Sequence, residues 1–385
     1  MRAVYLDHNA TTPVDPSVVA AMLPFFGEAF GNASSHHFAG RRARQAVDRA
    51  REAVAALVGA DPAEVIFTSG ATESDNLALR GVAEREPGCH IVTTAVEHSA
   101  VLATCAALER RGHRVTRLGV DRTGALDLAA LEAAITDDTR LVSVMFANNE
   151  TGVLFPVAEV ARICRARGVL FHCDATQAVG KVPVDMRALG IDLLSLSGHK
   201  LNGPKGIGAL VVRRGVRLPA QQTGGSQEGG RRGGTENVPG IVGLGAAAEL
   251  AARRLAEGAP ARVAALRDRL EARLLEMVPQ SEVNGAGSPR LPNTLNCTFH
   301  GVDGEGVLLA LDLEGVAASS GSACAAGSVD PSHVLLAMGL SREAAQGSVR
   351  LSLGYDTTDE DVDYVAQVLP AIVERLRALA PAGAA

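Results

Sequence analysis

Short apolar, β-branched runs alternate with longer stretches of helical period through the first two-thirds of the chain. Residues 65–68, 90–93, 141–146, 169–172 and 193–196 predict buried strands, and 76–84, 100–110 and 157–166 predict helices between them. Strands this uniformly apolar belong to a mainly parallel sheet covered by helices on both faces. In such sheets chemistry collects at the carboxyl ends of the strands. The polar clusters fall there: Ser69-Gly70-Ala71-Thr72, Asn148-Asn149-Glu150, Asp174-Ala175-Thr176-Gln177 and Ser197-Gly198-His199-Lys200.

The pattern changes at a glycine-rich loop, 224–240, followed by an arginine- and alanine-rich helical region from 241 to about 277. Alternation then resumes, with strands at 294–299 and 350–353 and helices at 304–311 and 359–379. This predicts a second, smaller α/β domain. A chain of 385 residues is long for one core. The division expected is a large domain over 15–250 and a small one from 1–14 and 251–385. No internal repeat is apparent, and the tail 381–385 is expected to fray.

Composition narrows the function class. Aromatics make up 3% and Trp is absent, so Ala, Val and Leu must fill the interior. A net charge of −6 argues against a nucleic-acid surface. The opening residues are too polar for a signal peptide and no apolar run has membrane-spanning length, so a cytoplasmic protein without membrane contact is expected. The six cysteines show no metal-ligand spacing, which predicts neither disulfides nor a metal site.

Of 37 basic residues only three are lysines, and this scarcity directs attention to Lys200, just past a buried strand. A lysine amine can become nucleophilic and form a Schiff base with an aldehyde cofactor, whereas arginine stays protonated. Lys181, after a Gly in a turn, and Lys205, in a loop, are weaker candidates. The Ser69 to Thr72 segment opens a helix and suits an anion, although ordinary capping has the same appearance; Ser197 and His199 add donors. Asp174 either pairs with a pyridinium nitrogen or caps the next helix. His98 can stack on a planar ring and move protons, though a lone His is more often structural. Arg350, inside an apolar strand, needs a partner: a substrate carboxylate or an internal acid. Cys324 lies in a stretch of Ser, Gly and Ala without bulky anchors, which predicts an exposed, movable thiol; Cys105, Cys164 and Cys297 lie among apolar residues.

With these pieces in place the chain resembles the cysteine desulfurases of the NifS/IscS type, fold-type I pyridoxal-phosphate enzymes of the class V aminotransferase group. The resemblance runs through 5–13, 68–76, Asn148 to Gly152, Asp174 to Gln177, Ser197 to Lys200, Gly234-Thr235-Glu236-Asn237, the Cys324 stretch and Arg350. That stretch, continuing into Asp330-Pro331-Ser332-His333-Val334, is similar to the long-loop (group I) branch. The resemblance implies that Lys200 bonds pyridoxal 5'-phosphate, Asp174 meets the pyridine nitrogen and Gln177 the phenolic oxygen. It implies that Ala71, Thr72, Ser197 and His199 hold the phosphate, with Thr235 reaching it from the other subunit of a homodimer. His98 stacks on the ring and manages a thiol proton, while Asn149 and Arg350 orient the substrate carboxylate. The implied reaction converts L-cysteine to L-alanine. Sulfur is captured on Cys324 as a persulfide and passed to an acceptor protein for iron–sulfur cluster assembly or thiolation. Ala33, Ser226 and Gly229 depart from the family pattern, and Ala33 in place of proline is expected to loosen a turn. A selenocysteine lyase, another class V aminotransferase and a non-catalytic sulfur-relay platform are the alternatives.

Overall fold

Runs in which every residue is buried form strands only where both faces of a sheet are covered, and this condition builds the molecule. The computed structural model describes residues 3–320 and 330–379. The chain opens with β1 (Val4–Tyr5) and continues through β2 (Val65–Thr68), β3 (His90–Thr94), β4 (Arg114–Leu118), β5 (Thr139–Ser143), β6 (Leu170–Asp174), β7 (Leu193–Ser197) and β8 (Gly208–Val212). The last four are β9 (Ser281–Val283), β10 (Thr294–Phe299), β11 (Val316–Ala317) and β12 (Ser348–Ser352).

Seven strands make the main sheet in the order β2-β8-β7-β6-β5-β3-β4. Neighbours from β7 to β4 are parallel. β8 is antiparallel to both β7 and β2, because the chain returns through the turn after Lys200 without a crossover helix. β2 therefore points the same way as β7. The carboxyl ends of β2, β3, β5, β6 and β7 share one edge. Apolar clusters cover both faces, one around Val92, Phe171, Leu194 and Ile241, the other around Ile66, Leu79, Ile91 and Leu210.

A separate core gathers Leu6, Leu266, Leu270, Phe299, Leu351 and Leu369 around the antiparallel sheet β12-β10-β9. Val334, Leu335 and Met338, late in the chain, pack instead with the main sheet. The 241–277 region is two helices, Val238–Ala256 and Ala259–Met277, broken at Gly258, whose φ of +73° ends the first. The helix Phe38–Leu57 carried little sequence signal, since its buried face is mostly alanine: Ala43, Ala46, Ala50 and Ala55 beside Val47 and Val54.

One strap joins the cores. Leu6 N–H donates to Ala317, His8 N–H to Ser352 and Thr12 N–H to His199, so residues 6–12 pass from β11 and β12 to the Lys200 turn. The turn around Ala33 is not loose: Asn32 Oδ1 accepts from Ser34 N–H at 2.8 Å and Ala33 carbonyl from Arg44 at 3.1 Å. At the edge strand β2, Glu228, between Ser226 and Gly229, takes two bonds from Arg51 (2.7 and 2.9 Å) and one from Phe67 N–H. The loop with those two departures is anchored.

Candidate active site

The strap, the strand ends and β12 enclose a cavity of about 530 Å³, within the range of small-molecule sites. Ala71, Thr72, His98, Asn149, Asp174 and Gln177 line it, together with Ser197, His199, Lys200 and Arg350. Thr235 is exposed and lies outside it. Cys324 lies outside the described residues. The chain leads into and out of its stretch at the cavity wall. Ser319 exchanges backbone hydrogen bonds with Arg350, Ser332 Oγ donates to the Glu150 carboxyl, and His333 Nε2 lies 3.0 Å from the Glu97 carbonyl.

Lys200 is delivered by the buried run Leu193–Ser197, which stops at Gly198, where a Cβ would crowd Ile207 and the Pro204 carbonyl at 3.0 Å. Its Nζ donates to the carbonyls of Asn9 (2.5 Å) and Ala10 (2.7 Å). His199 is pushed down to about 4 by burial and then by the charges of Lys200, Lys205 and Lys181, so it is neutral at working pH. Its Nδ1 lies 3.1 Å from Thr11 Oγ1.

Asp174 ends β6, nearly buried, with Oδ1 accepting from Thr176 N–H at 3.0 Å; that local turn and a position on the cavity wall coexist. Behind it Asp75, wholly buried, lies 3.5 Å from His172 Nε2. Burial and then the Asp174 charge push Asp75 up to about 6, so its proton is retained more readily than that of an ordinary carboxyl. His98 caps the helix Ser99–Glu109: Nδ1 accepts from Ala100 N–H at 3.2 Å, which leaves the proton of the neutral ring on Nε2.

The helix Ala71–Arg85 begins at Gly70, whose φ of +153° needs glycine and whose lack of a side chain leaves no cap over the first turn. Gly208 on β8 lies so close that a Cβ there would meet Gly70 Cα at 2.7 Å. The result is an open helix N-terminus at the cavity, built for an anion.

Arg350 is 2% exposed and bonds Asp7 Oδ1 at 2.7 Å and the Asn149 carbonyl at 3.0 Å, so an internal acid does partner it. Among the described residues its Nε has no partner, nor has the buried Thr176 Oγ1, and both residues line the cavity. Such groups are satisfied by a polar ligand. An uncapped helix end, a buried carboxylate, two lysines (Lys200 and Lys205) and these two orphaned donors fit a phosphorylated, ring-nitrogen aldehyde.

Sequence reasoning gave Asn9 no role and weighed Lys181 only as a weaker Schiff-base candidate. Asn9 carbonyl accepts from both Lys200 and Gln177, its Oδ1 from Lys181 and Asn293, and its Nδ2 donates to Thr294 and to the Asn149 carbonyl. The scarcity of lysine was a usable signal for Lys181. Burial pushes the Cys105 and Cys164 thiols up to about 12, as structural cysteines require.

Residues 4–365 match the family model described as aminotransferase class-V. A cysteine desulfurase of Nostoc sp. is 54% identical over 99% of this chain and 95% of its own length. The cysteine desulfurase IscS of Methanosarcina thermophila is 50% identical over 99% and 94%. Among solved structures, a NifS-like protein superposes with a TM-score of 0.90 at 40% identity, covering 97% of this chain and all of the other. SspA in complex with cysteine superposes with a TM-score of 0.82 at 37% identity over 91% and 99%.

Proposed function

The chain belongs to the class-V aminotransferase family and is a pyridoxal-phosphate-dependent cysteine desulfurase, and from that premise we propose the residue roles that follow. The carrying observation is one cavity that gathers Lys200, Asp174, His98, Arg350 and an uncapped helix N-terminus. When bound, the cofactor supplies an aldehyde carbon for the substrate amine and a sink for the electrons released at Cα.

Ala71 and Thr72 at the helix end, with Ser197 and His199, hold the phosphate. Asp174 keeps the proton on the pyridine nitrogen, and Gln177 meets the phenolic oxygen. Lys200 carries the cofactor and, once the substrate amine replaces it, takes the Cα proton. Arg350 offers its guanidinium to the substrate carboxylate, helped by Asn149, while Asp7 holds the arginine in place. His98 covers the ring and manages the thiol proton, which it takes at Nδ1 by releasing the Ala100 N–H. Cys324 thiolate then bonds the substrate sulfur as the Cβ–S bond breaks, and protonation at Cβ yields alanine. Sulfur leaves as a persulfide on Cys324, so no outside oxidant is needed, and its release as sulfide takes two electrons from a thiol reductant.

The division into a cofactor domain, 15–250, and a smaller domain from 1–14 and 251–385 is supported by the separate core around Leu270 and Phe299. A homodimer is supported by Leu23, Phe26, Phe30 and Phe38, all more than half exposed in a chain with nine Phe, and by Thr235 standing outside its own cavity. No described helix is long and apolar enough to cross a membrane, and the described cysteines are free, which supports a reducing, cytoplasmic setting. The acceptor is a protein of iron–sulfur cluster assembly or of thiolation.

The test is alanine and sulfide released from L-cysteine in the presence of a thiol reductant, wild type beside Cys324→Ala. Equal yields from the wild type, both lost in the variant, are expected. Undiminished sulfide release by Cys324→Ala overturns the role given to Cys324.

A further inference from the structure

Lys181 is wholly buried behind the cavity wall, where its Nζ donates to Gln177 Oε1 at 2.6 Å and Asn9 Oδ1 at 3.3 Å. Both acceptors are neutral. Among the described residues no carboxylate pairs with this ammonium, and the charges that act on it are two further cations, Lys200 and Arg350. Burial and those cations together hold its pKa well below that of an ordinary lysine. On the far side, across a space of about 30 Å³ that it shares with Lys200, stand His8 and Arg254. Of the nearby acids, Asp7 is engaged by Arg350, and Asp356 lies 3.7 Å from His8.

A buried ammonium without a counter-ion is costly, and packing alone would be served by Met. What the position provides is a donor to both amide oxygens within its reach. Facing Lys181, the Gln177 amide must present its oxygen, so its NH2 is turned the other way, where Nε2 donates to the Asn9 carbonyl at 2.9 Å. Gln177 also lines the cavity.

We propose that Lys181 is a positioning residue: it fixes the Gln177 amide so that N–H, not carbonyl, faces the cofactor's ring oxygen. This rests on the reading that Gln177 meets the ring oxygen. Lys181 touches neither cofactor nor substrate. Its absence frees the amide to rotate. That change favours the protonated form of the Lys200–cofactor linkage.

The experiment uses apoprotein reconstituted with pyridoxal phosphate, comparing wild type, Lys181→Met, Lys181→Gln, Gln177→Ala and the double variant Lys181→Met/Gln177→Ala. The readouts are the cofactor dissociation constant, the pH midpoint of the linkage's visible absorbance and the apoprotein melting temperature. Lys181→Met is expected to raise the midpoint by about one unit and to weaken cofactor binding on the order of tenfold. Gln177→Ala is expected to do the same, with the double variant adding little. A Lys181→Met midpoint and affinity equal to wild type, while Gln177→Ala shifts both, overturn the proposal and leave the Gln177 reading intact. Gln177→Ala identical to wild type removes both. Additive effects in the double variant, or a lowered melting temperature without a midpoint shift, make Lys181 merely structural and also overturn it. Should Lys181→Met not fold, Lys181→Gln, which stays polar without the charge, carries the comparison.

Discussion

Glu97, directly before His98, shows how one buried carboxyl fixes a pH range. Thr94 Oγ1 and Met145 N–H both donate to Oε1, while Oε2 has no partner among the described residues. Burial pushes the group up to about 8 from the ordinary glutamate value of 4.5. Between those values the folded chain keeps a proton that the unfolded chain has released, so stability falls as pH rises through that window. Glutamine mimics the protonated acid and keeps both hydrogen bonds to Oε1. Glu97→Gln is therefore predicted to melt higher than wild type at pH 8 by at least about 2 °C, with the gap narrowing toward pH 5; thermal scans across that range check it. A gap that does not change with pH contradicts the assignment. At this scale the sequence revealed groups whose chemistry is anomalous for their position: a scarce lysine, an acid ending an apolar strand, an arginine inside one. It did not reveal Asn9, because a residue's role as a hub depends on partners far away in the chain. Gln177 and Lys200 lie 168 and 191 residues from it.

At the scale of elements, the anion site depends on two strands and a helix meeting without side chains between them. β8 passes Gly70 so closely that an alanine at Gly208 would place its Cβ 2.5 Å from the Leu196 carbonyl and 2.7 Å from Gly70 Cα. Backbone cannot yield cheaply on both sides. Gly208→Ala is predicted to weaken cofactor affinity by at least about tenfold, since a hydrogen bond to a charged group contributes roughly 1.5–3 kcal/mol, measured by equilibrium titration of the apoprotein. Unchanged affinity would show that the Gly70–Gly208 contact does not shape the cradle. The parallel strands β3, β5, β6 and β7 were legible as apolar runs, and the helices Val157–Ala166 and Asp359–Leu379 as amphipathic stretches; β4, Arg114–Leu118, carries two arginines and was not legible. β8 was not among the strands read from the sequence, and its reversed direction was not legible either, because a buried strand has the same composition whichever way it runs. Nor was the break at Gly258, where alanine and arginine continue on both sides.

For the whole molecule, the strap from Leu6 to Thr12 matters most. It leaves the small core, crosses the cavity mouth and ends on the Lys200 turn, so the wall that faces the sheet belongs to the other core. Arg350 on β12 and Asn9 on the strap reach the same space as the strand ends of the main sheet. A resemblance carried by short motifs placed these residues together; only the three-dimensional path explains how. That path also brings all three lysines of the chain near one cavity: Lys200 and Lys205 on its wall, and Lys181 behind Gln177. The central claim, that Lys200 carries the cofactor, is therefore best tested against its two neighbours. Borohydride reduction of the holoenzyme followed by peptide mass mapping is predicted to find the cofactor on the peptide containing Lys200 and on no other. Its recovery on Lys181 or Lys205 would contradict the account.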